Sequence, residues 1–425
     1  MTETATGIGP TRDLSHRIRQ MSGRDPDERH RVASSLELLF DLTFVIGFGQ
    51  AASLFAHAVV AGHIWPGIQG FVFAVFAICW AWINFAWFAS AFDTDDWLYR
   101  VLVMIQMIGV IILSLGLPDV FHSLEEGGHL DNRVVVLGYV IMRVTMIAQW
   151  ARVAKHTQAF RASAVTMIVT LVISQVGWIV VALFNPTVGV FFVCWVVLIA
   201  IELIGPVKAE GQGRGTPWHA HHIAERYGLL VIICLGEGVV GTVATLSAVI
   251  ESQGWTVDVA LVAVAGTGLT FGMWWIYFIV PSAEVLHAHR ERSFVWGYSQ
   301  IALFGAIVAT GAGLDIAAYY IEGESELSAV GTVLAVAIPV AGYVVMLFGL
   351  YWYLMRHLTV FHVALFGSSL AVFVVAGVLA GVGVSMAVCL IVVTCAPVVI
   401  VVGYEMTGHR HAATDLDRQS AGHAT

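Results

Sequence analysis

The chain has 425 residues, of which 58% are hydrophobic and only 12% charged, and its mean hydropathy is +0.83. This composition excludes a single water-soluble domain, because the apolar residues fall in runs longer than the roughly 18 residues that indicate a spanning helix. The formal net charge of −9 gives no reason to expect nucleic acid as a partner. The predicted partner is the lipid bilayer.

Twelve apolar runs in chain order predict twelve transmembrane helices. They lie near residues 34–60, 65–91, 97–117, 132–154, 161–184, 187–206, 219–249, 256–280, 293–319, 328–354, 359–380 and 382–404. The runs are too long and too uniformly apolar for the alternating pattern of a membrane β-barrel. We therefore expect an all-α, polytopic membrane helical bundle.

The basic residues predict the orientation of this bundle. If the N-terminus is cytoplasmic, 17 of the 20 Lys and Arg residues fall in segments on the cytoplasmic side. Cytoplasmic loops of membrane proteins carry such an excess, so both termini are expected inside the cell. The resulting organisation is a polar N-terminal tail (1–33) without a signal peptide, two six-helix halves (34–206 and 219–404), a cytoplasmic linker (207–218) and a C-terminal tail (405–425). Both tails have a disordered composition.

Weak similarity between the halves indicates an internal repeat. The segment DLTFVIGFGQ at 41–50 aligns with GLLVIICLGE at 228–237, WINF at 82–85 aligns with WIYF at 275–278, and Gln106 aligns with Gln300. Chance similarity between apolar segments is the alternative. Because six is an even number of spans, two repeats would share one orientation in the membrane, as in parallel-repeat transporters.

The first span carries two acids near its start, in SSLELLFDLTF. Glu37 follows Ser34 by three positions, which is the spacing of a helix capping box. Asp41 lies one turn further on the same face, where a capping role does not account for it. The pair is open to two interpretations, which are ion or proton handling and a capping or interface role.

The seventh span carries a second polar group, in HHIAERYGLLVIICLGEG. His222, Arg226 and Glu237 share one helical face, and Glu237 falls where the bilayer is driest, so it is a functional candidate. Packing against another helix is its alternative role. His221 and His222 are spaced for a metal pair with Glu225, but a metal site would need further ligands from elsewhere and histidines at a helix entrance are usually solvated, so we predict neither a metal nor a cofactor.

Two further charges lie inside spans. Arg143 in the fourth span and Glu237 are predicted at similar depth, and opposite charges in hydrocarbon are expected to meet, so we predict that they pair. Glu202, near the end of the sixth span, is expected to join Asp41 or Arg226. No nucleotide-binding loop, nucleophile elbow or HExxH motif occurs, so we expect no enzyme activity.

The segments SLELLFDLTFVIGFGQ at 35–50 and HHIAERYGLLVIICLGEGVV at 221–240 resemble the two characteristic segments of the bacterial low temperature requirement A (LtrA) family. Leu39 and Thr43 depart from the Phe and Val expected there, which leaves the polar positions unaffected. The positions matching the family pattern are Glu37, Phe40, Asp41, His222, Glu225, Arg226, Gly236 and Glu237. The resemblance implies a multi-pass protein of the bacterial inner membrane, linked by name to growth in the cold, with no established substrate.

These observations lead to one hypothesis and two alternatives. The hypothesis is a transporter of a small solute or ion coupled to protonation, with Glu237 and Arg143 at the midplane and Glu37, Asp41, Glu225 and Arg226 at the cytoplasmic mouth. The alternatives are an ion channel and a non-transporting scaffold or sensor for growth at low temperature. Each is compatible with a homo-oligomer.

Overall fold

The computed structural model describes residues 16–28 and 31–409, and these residues form helices and connecting segments without a β-sheet. The α-helices are α1 (Ser35–Val60), α2 (Ile64–Phe92), α3 (Trp97–Leu115), α4 (Leu117–Glu126), α5 (Arg133–His156), α6 (Arg161–Phe184), α7 (Val188–Glu210), α8 (Ala220–Gln253), α9 (Val257–Phe278), α10 (Ser282–Ala288), α11 (Ser293–Glu322), α12 (Ala329–Met355), α13 (Val360–Gly381) and α14 (Met386–Gly403).

The predicted all-helical membrane fold is confirmed. Twelve segments of the described chain are long and apolar enough to cross a membrane, and they match the predicted spans to within a few residues at most ends. The larger differences occur where a short helix follows a long one, as α4 follows α3 and α10 follows α9. Hydropathy alone does not predict these short helices, because LPDVFHSLEE and SAEVLHA contain charged and polar residues and lie outside the apolar runs.

Local sequence signals explain several helix ends. At the start of α1, the Ser34 side chain accepts a hydrogen bond from the Glu37 N–H, and the Glu37 side chain accepts one from the Ser34 N–H. This is the predicted capping box. At its other end, α11 stops at Gly323, which adopts a left-handed conformation with φ 80° that glycine tolerates without strain.

The bundle is organised around its two most buried spans, α2 and the span that contains α11. Small residues allow the close contacts. A Cβ atom at Gly138 of α5 would lie 2.6 Å from the Gly109 carbonyl oxygen of α3, and one at Gly311 of α11 would lie 2.6 Å from the Glu237 backbone of α8. Membrane helices pack in this way because lipid offers no hydrophobic driving force between them.

Part of the N-terminal tail is packed, contrary to the expectation from its composition. Residues 16–28 cross the end of the bundle where α1 begins, which we call the N-terminal face, and Met21 is fully buried. The Met21 N–H donates to His156 at the end of α5, and the Arg19 N–H donates to Asp96. These partners lie far away in sequence, so composition could not reveal them. The remaining parts of the predicted tails, 1–15, 29–30 and 410–425, lie outside the described residues.

Candidate functional site

The first polar site joins α1 to α8, and so connects the two predicted halves. Arg226 donates to Glu37 Oε1 at 2.8 Å and, through two nitrogen atoms, to both carboxylate oxygens of Asp41 at 2.5 and 3.1 Å. His222 Nε2 lies 3.2 Å from Glu37 Oε1. Both pairs, Glu37 with Asp41 and His222 with Arg226, are four residues apart and therefore share a helix face. All four side chains have no exposed surface.

Aromatic residues of α2 shield this inter-half ion cluster, which consists of Glu37, Asp41, His222 and Arg226. Trp82 donates its indole N–H to Asp41 Oδ1 at 2.6 Å, and its ring lies under the Arg226 guanidinium, 5.6 Å from centroid to Cζ. Charged hydrogen bonds and cation–π contacts compensate the desolvation of buried ions. The cluster supports the interface interpretation of Glu37 and Asp41, because none of its four residues lines either of the two cavities described below.

The second polar site corrects two predictions. Arg143 of α5 pairs with Glu202 of α7 at 2.5 Å, and does not pair with Glu237. Glu202 accordingly does not join Asp41 or Arg226. Helical rise gives the position of a residue along its own helix, but it carries no information on lateral position. Arg143 contacts the α2–α7 region of the first half, whereas Glu237 lies between α1 and α11.

Trp80 completes this second site and separates two cavities. Its indole N–H donates to Glu202 Oε2, the same oxygen that binds Arg143. The N-face cavity has a volume of about 630 Å³ and lies on the N-terminal side; its lining includes Trp80, Trp87, Trp150, Glu210, Trp218 and Tyr298. The opposite-face cavity has a volume of about 410 Å³; its lining includes Phe73, Trp80, Asn132, Trp178, Trp195 and Glu202.

The third polar site contains Glu237, which is 8% exposed. In the part of the chain that the structure describes, no side chain forms a hydrogen bond or ion pair with its carboxylate. A Cβ atom at Gly49 of α1 would lie 3.4 Å from Glu237 Oε1, so the carboxylate rests against bare backbone. The closest interacting charge is another acid, Asp315 of α11. Toward the opposite face, His57 interacts with Asp315 and also contacts Tyr319.

Seven of the eight predicted site residues thus lie in the three polar sites, and one lies outside them. Glu37, Asp41, His222 and Arg226 form one cluster, Arg143 and Glu202 a second, and Glu237 a third, while Glu225 is exposed. Sequence reasoning missed Trp80, Asn132 and Asp315. The signal for Asp315 was present, because it is an acid inside the ninth apolar run, just as Glu237 is in the seventh. Trp80 and Asn132 gave no such signal.

Comparison with known proteins identifies the family. The model of the family described as bacterial low temperature requirement A protein (LtrA) matches residues 32–397, which include all three polar sites. The chain belongs to this family. The chain is also similar to an uncharacterized protein of Rhizobium meliloti (strain 1021), with 26% identity over 305 residues. The match covers 67% of this chain and 69% of the relative. No solved structure matches the chain.

Membership in the LtrA family confirms the resemblance that the two sequence segments indicated, and it supports a multi-pass membrane protein. The inter-half ion cluster is formed by residues of both segments. Their separation of almost 190 positions in sequence therefore corresponds to direct contact between α1 and α8. The family description itself names no solute or reaction.

Proposed function

We propose that this LtrA-family protein transports a small solute across the bacterial inner membrane, coupled to protonation, and that it is not an enzyme. The observation that carries the proposal is the pair of cavities on the two sides of Trp80 and the Arg143–Glu202 ion pair. A transporter needs a binding region that one thin barrier closes toward one side at a time. One indole ring and one ion pair form such a barrier here.

Two similar hydrogen bonds, one in each half, support the internal repeat that many transporters have. Tyr139, in the fourth span, donates its hydroxyl to the Ala77 carbonyl of the second span at 2.5 Å. Tyr343, in the tenth span, donates to the Met273 carbonyl of the eighth span at 2.7 Å. The same contact between the same pair of spans in each half is the relationship expected of a parallel repeat.

Glu237 is our candidate for the proton-binding group. A buried carboxylate without a cation partner is costly to keep charged, and a change of its surroundings between two conformations would change its affinity for protons. Asp315 and His57 extend a series of titratable side chains from Glu237 toward the opposite face, where His57 is exposed. This series provides a route by which protons reach the site from that side.

Cysteine accessibility tests transport without knowledge of the solute. In a background without the five native cysteines, Ile83→Cys probes the N-face cavity and Ile199→Cys the opposite-face cavity. We expect each to react with an impermeant thiol reagent from its own side only, and we expect modification of one to reduce the reactivity of the other. Leu314→Cys, in the core away from both cavities, is the control and should remain unreactive.

Other outcomes of this experiment identify the alternatives. Simultaneous reaction at both positions, together with single-channel currents, would indicate the channel. Reaction at neither position would indicate a solid scaffold or sensor. Either result contradicts the transport proposal, because alternating access requires that both cavities open in turn.

The role of Glu237 is tested by the pH dependence of the same labelling. Glu237→Gln keeps the shape and hydrogen-bonding capacity of the side chain but cannot titrate, so we expect the pH dependence of labelling at Ile83→Cys and Ile199→Cys to disappear. Glu225→Gln, an exposed acid on the same helix, is the matched control and should retain it. If the pH dependence of labelling is unchanged in Glu237→Gln, Glu237 does not bind the coupling proton and has a packing role.

The proposed orientation places both termini in the cytoplasm, supported by the excess of Lys and Arg in the segments on the N-terminal side. Cysteines at the exposed positions Gly128 and Glu324 should then react with an impermeant reagent in intact cells. A cysteine at the exposed Arg214, in the linker between the halves, should not react. The reverse pattern would invert the orientation.

A further inference from the structure

We propose that the two cavities bind a small organic cation with an alkylated ammonium group. The proposal rests on the transport function above, since it assigns the chemical class of the solute. It is carried by the charge of the cavity walls, by their aromatic surface, by an orphaned amide and by two internal cations that already bind to these walls.

The charged side chains among the described lining residues of the two cavities are acids. In each cavity one carboxylate is present, Glu210 in the N-face cavity and Glu202 in the opposite-face cavity, and none of the described lining residues is Lys, Arg or His. Both acids belong to α7 and are eight residues apart, which places them close to one helical face. Glu202 is already paired with Arg143, and Glu210 accepts hydrogen bonds from Thr216 and Trp218, so a solute cation would bind by competing with these partners.

The remaining wall is largely aromatic. In the opposite-face cavity, the Phe76 ring lies 6.1 Å from Trp80 and 5.8 Å from Trp195, measured between centroids, so the three rings form one continuous surface. Aromatic faces carry negative electrostatic potential and bind quaternary ammonium groups, with tryptophan the most favourable ring. Few hydrogen-bond acceptors accompany them, which favours an alkylated ammonium over a primary amine that would lose its bonds to water.

Asn132, which precedes α5, supplies independent evidence for a ligand. Its side chain is 1% exposed and lines the opposite-face cavity, and neither its amide oxygen nor its amide nitrogen has a hydrogen-bond partner among the described residues. Buried polar groups are nearly always paired, and an orphan in a cavity wall indicates that something else occupies the space. A polar substituent of the cation could satisfy this amide.

Internal guanidinium groups show how the walls accept a cation. Arg143 binds Glu202 while its Cζ lies 5.2 Å from the centroid of Tyr139, which lines the opposite-face cavity. Arg290 stacks on Trp218 of the N-face cavity, with Cζ 3.8 Å from the ring centroid. A solute cation reaching Glu202 would compete with Arg143 and weaken the barrier between the cavities. Binding would then promote the conformational change that transport needs.

Calorimetry on the purified full-length protein in detergent tests the proposal with choline as the probe. We expect saturable binding of choline, and at least about tenfold weaker binding of its uncharged isostere, in which carbon replaces the ammonium nitrogen. Trp195→Leu should weaken choline binding by about 3- to 30-fold. Trp255→Leu, which alters an exposed residue between α8 and α9, should leave the affinity unchanged.

A second variant distinguishes loss of choline binding from a folding defect. Asn132→Leu replaces an orphaned amide with an apolar side chain of similar size, so it should unfold at the same or a higher temperature and yet bind choline less tightly. Failure of the wild-type protein to bind choline, or equal affinity for the uncharged isostere, overturns the proposal. Unchanged choline affinity in both Trp195→Leu and Asn132→Leu also overturns it, because binding would then occur elsewhere.

Choline counterflow in proteoliposomes separates this proposal from the transport function. Binding with saturable counterflow supports both. Binding without counterflow, together with unreactive cavity cysteines, supports the cation site and contradicts transport. Alternating cysteine accessibility without choline binding supports transport and overturns the assignment of the solute class.

Discussion

The two halves differ most at one interface, that between the second and sixth span of each half. In the second half these spans are α9 and α14, and they touch: Thr394 donates to the Ala265 carbonyl at 2.9 Å, and a Cβ atom at Gly272 would lie 2.9 Å from Pro397. In the first half they are α2 and α7, and they carry Trp80 and Trp195 beside the two cavities.

The difference follows from side-chain size. Small residues let the backbones of α9 and α14 approach along their middle, and a cavity lined by Ile276 and Ile400 lies toward their C-terminal ends. Indole rings hold α2 and α7 apart and pack with gaps. The open interface also carries the buried ion pair of its half. We infer that the first half holds the solute region and that the second half serves as a rigid support, and the following predictions would sharpen or break this comparison.

The largest effect is expected from breaking the ion pair of the open interface. Arg143→Leu leaves Glu202 charged and unpaired in the interior, which should lower the free energy of unfolding by about 3–5 kcal/mol. The double variant Arg143→Leu/Glu202→Leu should lose less than the sum of the two single variants. Thermal unfolding in detergent measures all of them.

Glu237→Gln is the matched control for this experiment, since it removes a buried acid that has no ion-pair partner among the described residues. It should be neutral or stabilising. Additive losses of stability in the Arg143 and Glu202 variants would mean that the pair contributes no coupling energy. The ion pair would then not distinguish the α2–α7 interface from the α9–α14 interface.

A smaller effect is expected from adding volume to each interface. Gly272→Leu forces a side chain against Pro397 of the closed interface and should cost about 1–3 kcal/mol. Ala77→Leu adds similar bulk to the wall of the opposite-face cavity, where space is available, and should cost less while it reduces ligand binding. Equal losses of stability in the two variants would show that the first-half interface is as tightly packed as the second.

The smallest effect concerns two acids between α2 and α3, outside the spans. Burial raises the pKa of Asp93 from an ordinary value of 3.8 to about 6. Burial would also raise the pKa of Asp96, but hydrogen bonds from Arg152 and from two backbone N–H groups outweigh it and lower that pKa. Asp93 therefore reduces stability as pH rises from about 4 through about 6, whereas Asp96 adds stability that is lost as pH falls below its ordinary pKa.

Opposite substitution effects follow from these opposite shifts. At neutral pH, Asp93→Asn should stabilise the protein by about 1 kcal/mol, and Asp96→Asn should destabilise it. Unfolding temperatures between about pH 2 and pH 8 check both, and each variant should lose the pH dependence of its own acid. A destabilised Asp93→Asn protein would show that its contact with Arg31, at 3.8 Å, outweighs the cost of burial.

For the buried charged side chains, the helix face could be predicted from the sequence, but the ion-pair partner could not. Glu37, Asp41, His222 and Arg226 could be placed on helix faces from their spacing, and the structure brings them together. The partner of Arg143 was predicted wrongly, because depth depends on position along one helix while pairing depends on which helices are neighbours. Asn132 and Trp80 gave no signal, since an amide at a helix start and a tryptophan in an apolar run are both ordinary.

The sequence by itself determined the membrane location, the twelve spans, the capping box of α1 and the polar positions of the two family segments. These features depend on hydropathy and on contacts a few residues apart, which are local properties of the chain. Only the tertiary structure decided that Arg143 meets Glu202, that Glu237 faces another acid, and that α2 and α7 enclose two cavities. Lateral packing in a bilayer depends on the shapes of helix faces, and hydropathy carries almost no information about shape.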